Sequence, residues 1–456
     1  MKYDVIVLGG GPGGYLAAER AGQAGLSALL IESRHIGGTC LNEGCIPTKT
    51  LLRSAKLYKA CLTAAPYGVR CEGAAIDQSA VVDRKRRVTA SLVSGVKAGL
   101  KSARVKTVEG VGTIEGRGAE GISVSAAGET HTCKKLIIAS GSRAIIPKIE
   151  GLDAAMKSGF ALTSTELLEQ REHIDRLCVV GGGVIGLEMA TYYAMTGTKL
   201  SVVEAAPKIA GALDTELTAA VQRGCEALGM EFYLNSRAVR FESGAVVMEG
   251  AQGEKKIDCD RALLCIGRRA NTEGFGLEKL NVPCTARGIS VDEHCFTGVP
   301  DVYAIGDCTG QSMQAHVAYR EAEVAVNHIL GVADEMRWGA VPGLVHTEPE
   351  AAFAGLTAEE AKSAGIDAVC SKLSMNYSGL YLAENENGAG IIKLVFDRKR
   401  RTLIGAHIAG GPAAELITIC SLLIENELPI ERMKRYVFPH PTCGEAIREA
   451  LFAAKL

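Results

Sequence analysis

The chain has 456 residues, of which 47% are apolar and 22% charged, and its formal net charge is −2. A chain of this length is too long for one core and suggests about three or four domains. No basic stripe indicates binding to nucleic acid or to anionic lipid. No apolar run is long enough to span a bilayer. We therefore expect a globular protein that binds neither nucleic acid nor membranes.

The first predicted unit begins with an apolar strand at residues 5–8 that leads directly into a glycine-rich turn. This start could be taken for a signal peptide, but no small-residue cleavage site follows it. The glycines of the pattern G-x-G-x-x-G are Gly9, Gly11 and Gly14. A helix is predicted over residues 15–24, and a second strand ends at Glu32. This order is typical of a dinucleotide-binding unit, in which the glycines admit a pyrophosphate and the acid binds ribose hydroxyls.

Two cysteines, Cys40 and Cys45, follow this unit with four residues between them. A disulfide over so short a loop removes little entropy from the unfolded chain, whereas a small ring suits a dithiol that opens and closes by exchange. The pair alone also fits two packed thiols or half of a zinc site, although no second ligand pair at matching spacing appears. The fifteen cysteines are otherwise scattered through apolar segments, which is typical of reduced thiols in the cytoplasm.

A second unit repeats the first. Its strand covers residues 177–180, its predicted helix residues 187–195, and its glycines are Gly181, Gly183 and Gly186. Glu204 follows the last of these glycines by eighteen residues, as Glu32 does in the first unit. Two complete patterns predict two bound dinucleotides. A carboxylate at Glu204 favours NAD over NADP because it bonds the ribose 2′-hydroxyl and repels a 2′-phosphate, and no arginine follows at residues 205–208. The alternative is a solvated residue at the end of a strand.

With these features in place, the chain resembles the pyridine nucleotide-disulfide oxidoreductases essentially from end to end. The resemblance rests on segments in the family's order, at residues 37–49, 138–143, 181–188, 265–271, 297–307 and 440–445. It implies an α/β fold with two Rossmann-like dinucleotide-binding domains, a central domain and a C-terminal α+β dimerisation domain. The expected boundaries are residues 1–146 for the FAD domain, 147–267 for the NAD domain, 268–338 for the central domain that completes the FAD site, and 339–456 for the dimerisation domain.

The resemblance also implies which residues hold the two cofactors. For FAD they are Gly9, Gly11, Gly14, Glu32, Thr39, Lys49, Gly112, Ser140, Asp307 and Ala315. For NAD they are Gly181, Gly183, Gly186, Glu188, Glu204, Val239 and Gly267. Lys49 is expected near flavin N5 and paired with Glu188 at the start of the second-unit helix, Asp307 is expected to bond the ribityl chain, and Ala315 resembles a backbone donor near the flavin pyrimidine. Without the family resemblance, Lys49 would be interpreted as a surface lysine, and Glu188 as an acid at the start of a helix, where the helix dipole favours negative charge.

Four residues are implied to be catalytic. Cys40 is the thiol that meets the substrate, and Cys45 lies against the flavin. His440 is the acid–base group, and Glu445 fixes its tautomer. In the family this histidine acts on the disulfide of the partner subunit, so a complete site requires a homodimer. On its own, a histidine beside a proline also fits a structural role.

Within the family, the chain resembles the branch that oxidises protein-bound dihydrolipoamide to lipoamide and reduces NAD⁺ to NADH, and the resemblance implies this reaction. The expected partner is a lipoylated acyltransferase of a 2-oxoacid dehydrogenase complex or the lipoylated carrier of the glycine cleavage system. Because the chain opens directly into its first strand, we expect the lipoyl group on another protein. Other branches of the family are expected to differ from this chain. Glutathione and trypanothione reductases are expected to carry basic residues after Glu204, and a mercuric reductase is expected to carry a pair of C-terminal cysteines. A single-cysteine NADH oxidase lacks the second thiol of the redox pair. A flavoprotein that only docks in a complex would not need the intact cysteines and histidine.

Three positions depart from the family's usual pattern. Glu43, between the cysteines, replaces an apolar residue and is expected to raise the thiolate pKa or alter the redox potential. Ser140 stands where threonine is usual. Cys443 lies inside the acid–base segment and is expected to be a packed thiol, with an inhibitory disulfide as the alternative.

Overall fold

The computed structural model of the protein describes residues 1–386 and 388–456. Its strands, in chain order, are β1 (Lys2–Leu8), β2 (Ala28–Glu32), β3 (Lys106–Glu109), β4 (Thr113–Gly118), β5 (Gly121–Ala126), β6 (Glu129–Ile138), β7 (Ser142–Ala144), β8 (Ala161–Leu162), β9 (Arg176–Val180), β10 (Lys199–Val203), β11 (Met230–Tyr233), β12 (Arg237–Glu242), β13 (Ala245–Gly250), β14 (Gly253–Asp258), β15 (Arg261–Leu264), β16 (Arg268–Ala270), β17 (Val302–Ala304), β18 (Pro342–Val345), β19 (Ala351–Gly355), β20 (Ala368–Ser374), β21 (Ile391–Asp397) and β22 (Thr402–Ala409).

The α-helices are α1 (Pro12–Gln23), α2 (Gly38–Asn42), α3 (Cys45–Leu62), α4 (Gln78–Ser102), α5 (Leu152–Lys157), α6 (Ser164–Leu167), α7 (Val184–Met195), α8 (Thr215–Ala227), α9 (Ala315–Ile329), α10 (Ala358–Ser363), α11 (Gly379–Glu384), α12 (Ala413–Glu425), α13 (Ile430–Met433) and α14 (Glu445–Ala453). Short 3₁₀ turns cover Ala65–Tyr67, Leu277–Leu280, Gly306–Thr309, Trp338–Ala340 and Met375–Tyr377. Among the described residues, no helix is both long and apolar enough to cross a membrane.

The first sheet has the order β3-β2-β1-β6-β5-β4, and β17 pairs in parallel with β6. Its centre, β1, is parallel to both neighbours, and Val5, Ile6 and Val7 are wholly buried because helices or strands cover both faces. Strand β17 lies more than 160 residues beyond β6 in the chain. The segment predicted as a central domain therefore adds a strand to the first unit's sheet.

The second sheet has the order β11-β10-β9-β15-β8, and all of its pairings are parallel. Strand β9 lies between β10 and β15 as β1 lies between β2 and β6, so the two units share one topology. An antiparallel sheet, β12-β13-β14, is inserted before β15. In each unit the chain reverses its direction of travel at the first strand, which is where open parallel sheets bind ligands.

The C-terminal part is an antiparallel sheet of order β18-β19-β22-β21-β20, with α12 and α14 packed on it. A smaller ribbon pairs β7 with β16. Two Rossmann-like units and a C-terminal α+β part confirm the predicted fold class, whereas the domain boundaries stay predictions.

The predicted helices differ from the observed ones mainly at their N-termini. Helix α1 begins at Pro12 and α7 at Val184, three residues before each predicted start. The glycine turn itself passes into the helix, and Pro12 fits the first helical position because its missing N–H would have no partner there. Helix α4 begins one residue after Asp77, whose side chain accepts a hydrogen bond from the Ala80 N–H and caps the helix.

Candidate active site

One cavity of about 1420 Å³ extends from the first glycine turn to the second. Most of the predicted site residues line it, namely Gly9, Gly11, Gly14, Glu32, Thr39, Cys40, Cys45, Lys49, Gly112, Ser140, Asp307, Ala315, Gly181, Gly183, Glu188, Glu204 and Gly267. Gly186, Val239, His440 and Glu445 do not line it. The cysteines thus share one space with both nucleotide-binding patterns, and the predicted acid–base pair does not.

Both glycine turns present helix N-termini to this cavity. Gly11 precedes α1 and Gly183 precedes α7, and no side chain caps either helix. A Cβ atom built at Gly11 meets nothing closer than 3.9 Å, and one built at Gly183 meets nothing within 4 Å. The free N–H groups and open space fit a pyrophosphate at each turn.

The third glycine of each pattern serves packing. A Cβ atom at Gly14 would lie 1.8 Å from the Gly9 carbonyl oxygen, and one at Gly186 would lie 2.2 Å from the Gly181 oxygen. Only glycine lets each helix lie this close to the turn that precedes it.

The two strand-end acids are held in the same way. Glu32 accepts a hydrogen bond from the Gly10 N–H at 2.5 Å, and Glu204 accepts one from the Gly182 N–H at 2.6 Å. The other oxygen of Glu204 accepts from the Ala206 N–H at 2.7 Å. Each carboxylate therefore ties its strand to the glycine turn and lies in the cavity, where a ribose would reach it.

The redox pair connects two helices. Cys40 lies in α2 and Cys45 is the first residue of α3. A hydrogen bond from the Cys40 thiol lowers the pKa of Cys45 to about 7 against the effect of burial, and the Lys49 ammonium adds to this effect. The same hydrogen bond is the largest cause of a raised pKa at Cys40, and burial is the second-largest cause. Cys45 is therefore the thiolate of the pair and Cys40 the thiol, and the N-terminus of α3 favours this order.

An ion pair joins the redox helix to the second unit. The Lys49 ammonium lies 2.6 Å from Glu188, whose side chain is buried within α7. The second oxygen of Glu188 accepts a hydrogen bond from the His346 N–H at 3.0 Å. The structure thus brings together Lys49 and Glu188, and a segment of the C-terminal part closes the site.

Several side chains at the site were missed by the sequence analysis. Arg34 forms an ion pair with Glu43, so the unusual acid between the cysteines carries a counter-charge. Ser142 hydrogen-bonds to Asp307, and Arg268 donates to the Ser142 hydroxyl at 2.7 Å. The charge of Arg34, two residues after Glu32, was the one sequence signal that could have suggested a partner for Glu43.

Glu321 was also missed, because nothing in its sequence context distinguishes it from a solvated acid on α9. Its side chain is buried, and one oxygen accepts a hydrogen bond from the Gly306 N–H at the turn that carries Asp307. Burial raises the pKa of Glu321 to about 8. A neutral carboxyl therefore supports the turn beside the Asp307 carboxylate.

The acid–base pair lies at the surface of the C-terminal part. His440 Nδ1 is 2.8 Å from Glu445 Oε1, and the His440 side chain is 77% exposed. The Thr442 N–H donates to the other Glu445 oxygen at 3.0 Å, and this bond, with that to His440, lowers the pKa of Glu445. Cys443 is buried beneath the segment in the core of the C-terminal sheet, as expected of a packed thiol. The imidazole is oriented and exposed, but the thiols of its own chain lie in the cavity that it does not line.

The family of this chain follows from its match to two domain models. Residues 3–322 match the pyridine nucleotide-disulphide oxidoreductase model, and residues 341–451 match the dimerisation domain of the same family. The chain belongs to the pyridine nucleotide-disulphide oxidoreductases and is an enzyme of that class. FAD and NAD are the cofactors of this class, and the two glycine turns fit them. The dimerisation domain indicates a homodimer.

Several individual proteins of known class are similar to this chain over nearly its whole length. The dihydrolipoyl dehydrogenase of Pseudomonas aeruginosa is 35% identical, with 100% of this chain and 98% of the relative covered. That of Geobacillus stearothermophilus is also 35% identical, with 99% and 96% covered. Among solved structures, LpdA from Mycobacterium tuberculosis has a TM-score of 0.90 at 25% identity, with 99% of each chain covered. The HOCl-induced flavoprotein disulfide reductase RclA from Escherichia coli shares the fold, with a TM-score of 0.87 at 23% identity over 99% of this chain and 100% of RclA.

Proposed function

We propose that this protein oxidises protein-bound dihydrolipoamide to lipoamide and reduces NAD⁺ to NADH. The observation that carries the proposal is the polarised Cys40–Cys45 pair, which lies in one cavity with both nucleotide-binding turns. Full-length relatives named dihydrolipoyl dehydrogenase support the choice of substrate.

The residues predicted for each cofactor fit this assignment. The turn at Gly9 and Gly11, with Glu32, would hold FAD, and the turn at Gly181 and Gly183, with Glu204, would hold NAD. When bound, FAD supplies a two-electron acceptor beside the dithiol and NAD⁺ supplies the final hydride acceptor. The carboxylate of Glu204 supports NAD as the nucleotide because it would repel a 2′-phosphate.

The protein's own groups perform the thiol chemistry. His440 of one subunit takes a proton from a substrate thiol, and Glu445 holds the imidazole in the required tautomer. The resulting thiolate attacks Cys40 of the Cys40–Cys45 disulfide, a new S–S bond forms, and Cys45 leaves as a thiolate. Its low pKa makes Cys45 the better leaving group. The second substrate thiol then attacks the mixed disulfide, which releases Cys40 and closes lipoamide.

We assign the lipoyl carrier to a second protein, either an acyltransferase of a 2-oxoacid dehydrogenase complex or the carrier of the glycine cleavage system. We also propose a cytoplasmic location, because the thirteen cysteines other than Cys40 and Cys45 are scattered through the chain, as suits thiols in a reducing compartment. Purification of the tagged protein from its source cells, followed by detection of lipoyl groups on co-purified proteins, identifies the partner.

The reaction is tested with the purified, flavin-loaded dimer, free dihydrolipoamide and NAD⁺. NADH formation is followed by absorbance. We expect turnover by the unmodified protein and none by Cys40→Ser, whereas Cys370→Ser, which changes an exposed cysteine outside the site, retains it. Absence of turnover with dihydrolipoamide, together with reduction of glutathione disulfide by NADPH, would instead make the protein a reductase of another branch.

A further inference from the structure

The ribose-binding acid of the second unit has a cationic neighbour that its sequence pattern does not include. Arg237 is the first residue of β12, and it lines the cavity together with Glu204 and Ala205. The Ser236 N–H donates to the Glu204 carbonyl oxygen at 3.0 Å, so the start of β12 lies directly beside the strand-end acid. The chain therefore places an arginine at the part of the cavity where Glu204 would meet a ribose.

Arg237 is exposed and carries no counter-charge. Arg240, three residues further along β12, pairs with Glu242 at 3.0 Å and with Glu254 at 3.3 Å, and it does not line the cavity. In contrast, no carboxylate of the described residues lies within 4.0 Å of the Arg237 guanidinium, not even that of Glu249, which is opposite Arg237 on β13. Its N–H donors and its planar face are thus available to a ligand.

Two parts of a dinucleotide suit a guanidinium at this position. With the ribose hydroxyls at Glu204, the nearest groups are the adenine ring and the ribose 2′-oxygen. A guanidinium packs on the face of an aromatic ring, and it binds a phosphate through paired hydrogen bonds. Arg237 and Glu204 would therefore both favour the adenosine of NAD, but they would act in opposite directions on a 2′-phosphate.

We propose that Arg237 is a specificity-determining residue of the second nucleotide site. Its guanidinium packs on the adenine of NAD, and it pairs with a 2′-phosphate once the Glu204 carboxylate is removed. The preference for NAD is then a balance between these two side chains. The inference rests on the nucleotide assignment of the proposed function and is independent of the thiol substrate.

The test is a calorimetric titration of the flavin-loaded dimer with ADP-ribose. FAD then fills the first site, and the titrant has no nicotinamide, so the heat reports binding at the second site and not turnover. Arg237→Met should weaken ADP-ribose binding about three- to fivefold, the effect of losing a cation–π contact at an exposed site. Arg240→Met, the matched control on the same strand, should bind ADP-ribose as the unmodified protein does.

A second titration, with 2′-phospho-ADP-ribose, tests the balance of charges. Glu204→Ala should bind this ligand about tenfold more tightly than the unmodified protein, as one charge-assisted hydrogen bond would allow. The double variant Glu204→Ala, Arg237→Met should lose that gain, whereas Glu204→Ala, Arg240→Met should keep it. Glu204→Gln, which retains the size of the side chain, repeats the measurement in case the alanine variant disturbs the glycine turn.

Three results would count against the proposal. Equal affinities of Arg237→Met and the unmodified protein for ADP-ribose would overturn the contact with adenine. A gain for 2′-phospho-ADP-ribose that survives the loss of Arg237 would overturn its role toward the phosphate. If the unmodified protein binds no ADP-ribose at all, the NAD assignment itself fails and the inference fails with it, so the two failures are distinguishable.

Discussion

The Lys49 ammonium lies 2.6 Å from the Glu188 carboxylate and thereby joins the helix that begins at Cys45 to the helix behind the second glycine turn. Glu188 is 5% exposed, and the His346 N–H occupies its other oxygen. The pair fixes a positive charge one turn of helix from the redox sulfur, and this charge is one of the groups that lower the pKa of Cys45.

Replacing Lys49 with glutamine should raise the pKa of Cys45 above its value of about 7. We expect a rise of about one pH unit, the lower end of what a nearby opposite charge contributes. Thiolate reactivity appears above the pKa, so its midpoint should move to higher pH. The measurement is the rate of Cys45 alkylation by iodoacetamide against pH, followed by mass spectrometry in a Cys40→Ser background in which serine keeps a hydrogen-bond donor.

The matched control for this variant is Lys56→Gln. Lys56 lies two turns further along the same helix and pairs with Glu350 at 2.8 Å, and it is not among the groups that shift Cys45. In Lys56→Gln, the pH midpoint of Cys45 alkylation should equal that of the Cys40→Ser parent. Equal midpoints for Lys49→Gln and Lys56→Gln would show that Lys49 does not stabilise the thiolate.

Glu204 should set the preference for NAD. Its replacement by alanine removes the carboxylate that faces a ribose and should relax discrimination between NAD⁺ and NADP⁺ by about 1–3 kcal/mol, the range for lost charge-assisted hydrogen bonds. Steady-state kcat/KM with each nucleotide provides the measurement. Glu231→Ala, which removes an exposed acid on the neighbouring strand β11, serves as the control. Equal use of both nucleotides by the unmodified enzyme would end this interpretation.

The sequence predicted those features of the fold and site that depend on residues within one local pattern of the chain. Gly181, Gly183 and Glu204 belong to one strand–turn–helix pattern, so the sequence predicted that they serve one nucleotide site, and the structure brings all three to one cavity. The pairing of β17 with β6 was not predictable in this way, because a three-residue strand carries almost no periodic signal. The Arg34–Glu43 and Glu321–Gly306 contacts were likewise missed, since a charged residue on a loop or helix is solvated unless tertiary packing covers it.

A buried ion pair between the second unit and the C-terminal sheet illustrates the same limit. Lys393 on β21 is 7% exposed and lies 2.9 Å from Asp214, which is fully buried and caps helix α8. Burial alone would raise the pKa of Asp214, but hydrogen bonds from Lys393 and the Glu216 N–H outweigh it and lower that pKa. The two residues are 179 positions apart, so no sequence pattern links them.

Lys393→Met should destabilise the protein by about 3–5 kcal/mol, because it leaves a buried carboxylate without its counter-charge. The double variant Asp214→Asn, Lys393→Met should lose less, since neither charge remains. Because the folded pKa of Asp214 is lowered, its contribution is present above the unfolded pKa and is lost as the pH falls through the folded pKa. Denaturant unfolding at neutral and acidic pH measures both effects.

Lys372→Met is the control for that measurement. Lys372 pairs with Glu216 in the same cluster, but its side chain is 51% exposed, so its loss should cost about 1 kcal/mol or less. If Lys372→Met and Lys393→Met unfold at the same denaturant concentration, burial does not increase the contribution of the Lys393–Asp214 ion pair to stability.

The last prediction concerns His440, whose imidazole is 77% exposed and outside the cavity that contains Cys40 and Cys45. If it serves the disulfide of a partner subunit, two inactive proteins should restore each other's activity. Cys45→Ser homodimers lack the redox pair, and His440→Ala homodimers lack the base. A mixed dimer then combines an intact cysteine pair with an intact histidine at one site, while the other site carries both lesions.

Co-expression with two different tags and sequential purification yields this mixed dimer. By the symmetry of the two sites, we expect about half of the normal turnover of dihydrolipoamide. A mixed dimer of His440→Ala with Cys40→Ser should behave in the same way, because Cys40 belongs to the same pair. If His440 acts within its own chain, every site of either mixed dimer contains one lesion and turnover stays at background. Background activity in a mixed dimer that is flavin-loaded and confirmed by mass spectrometry would therefore exclude the trans arrangement.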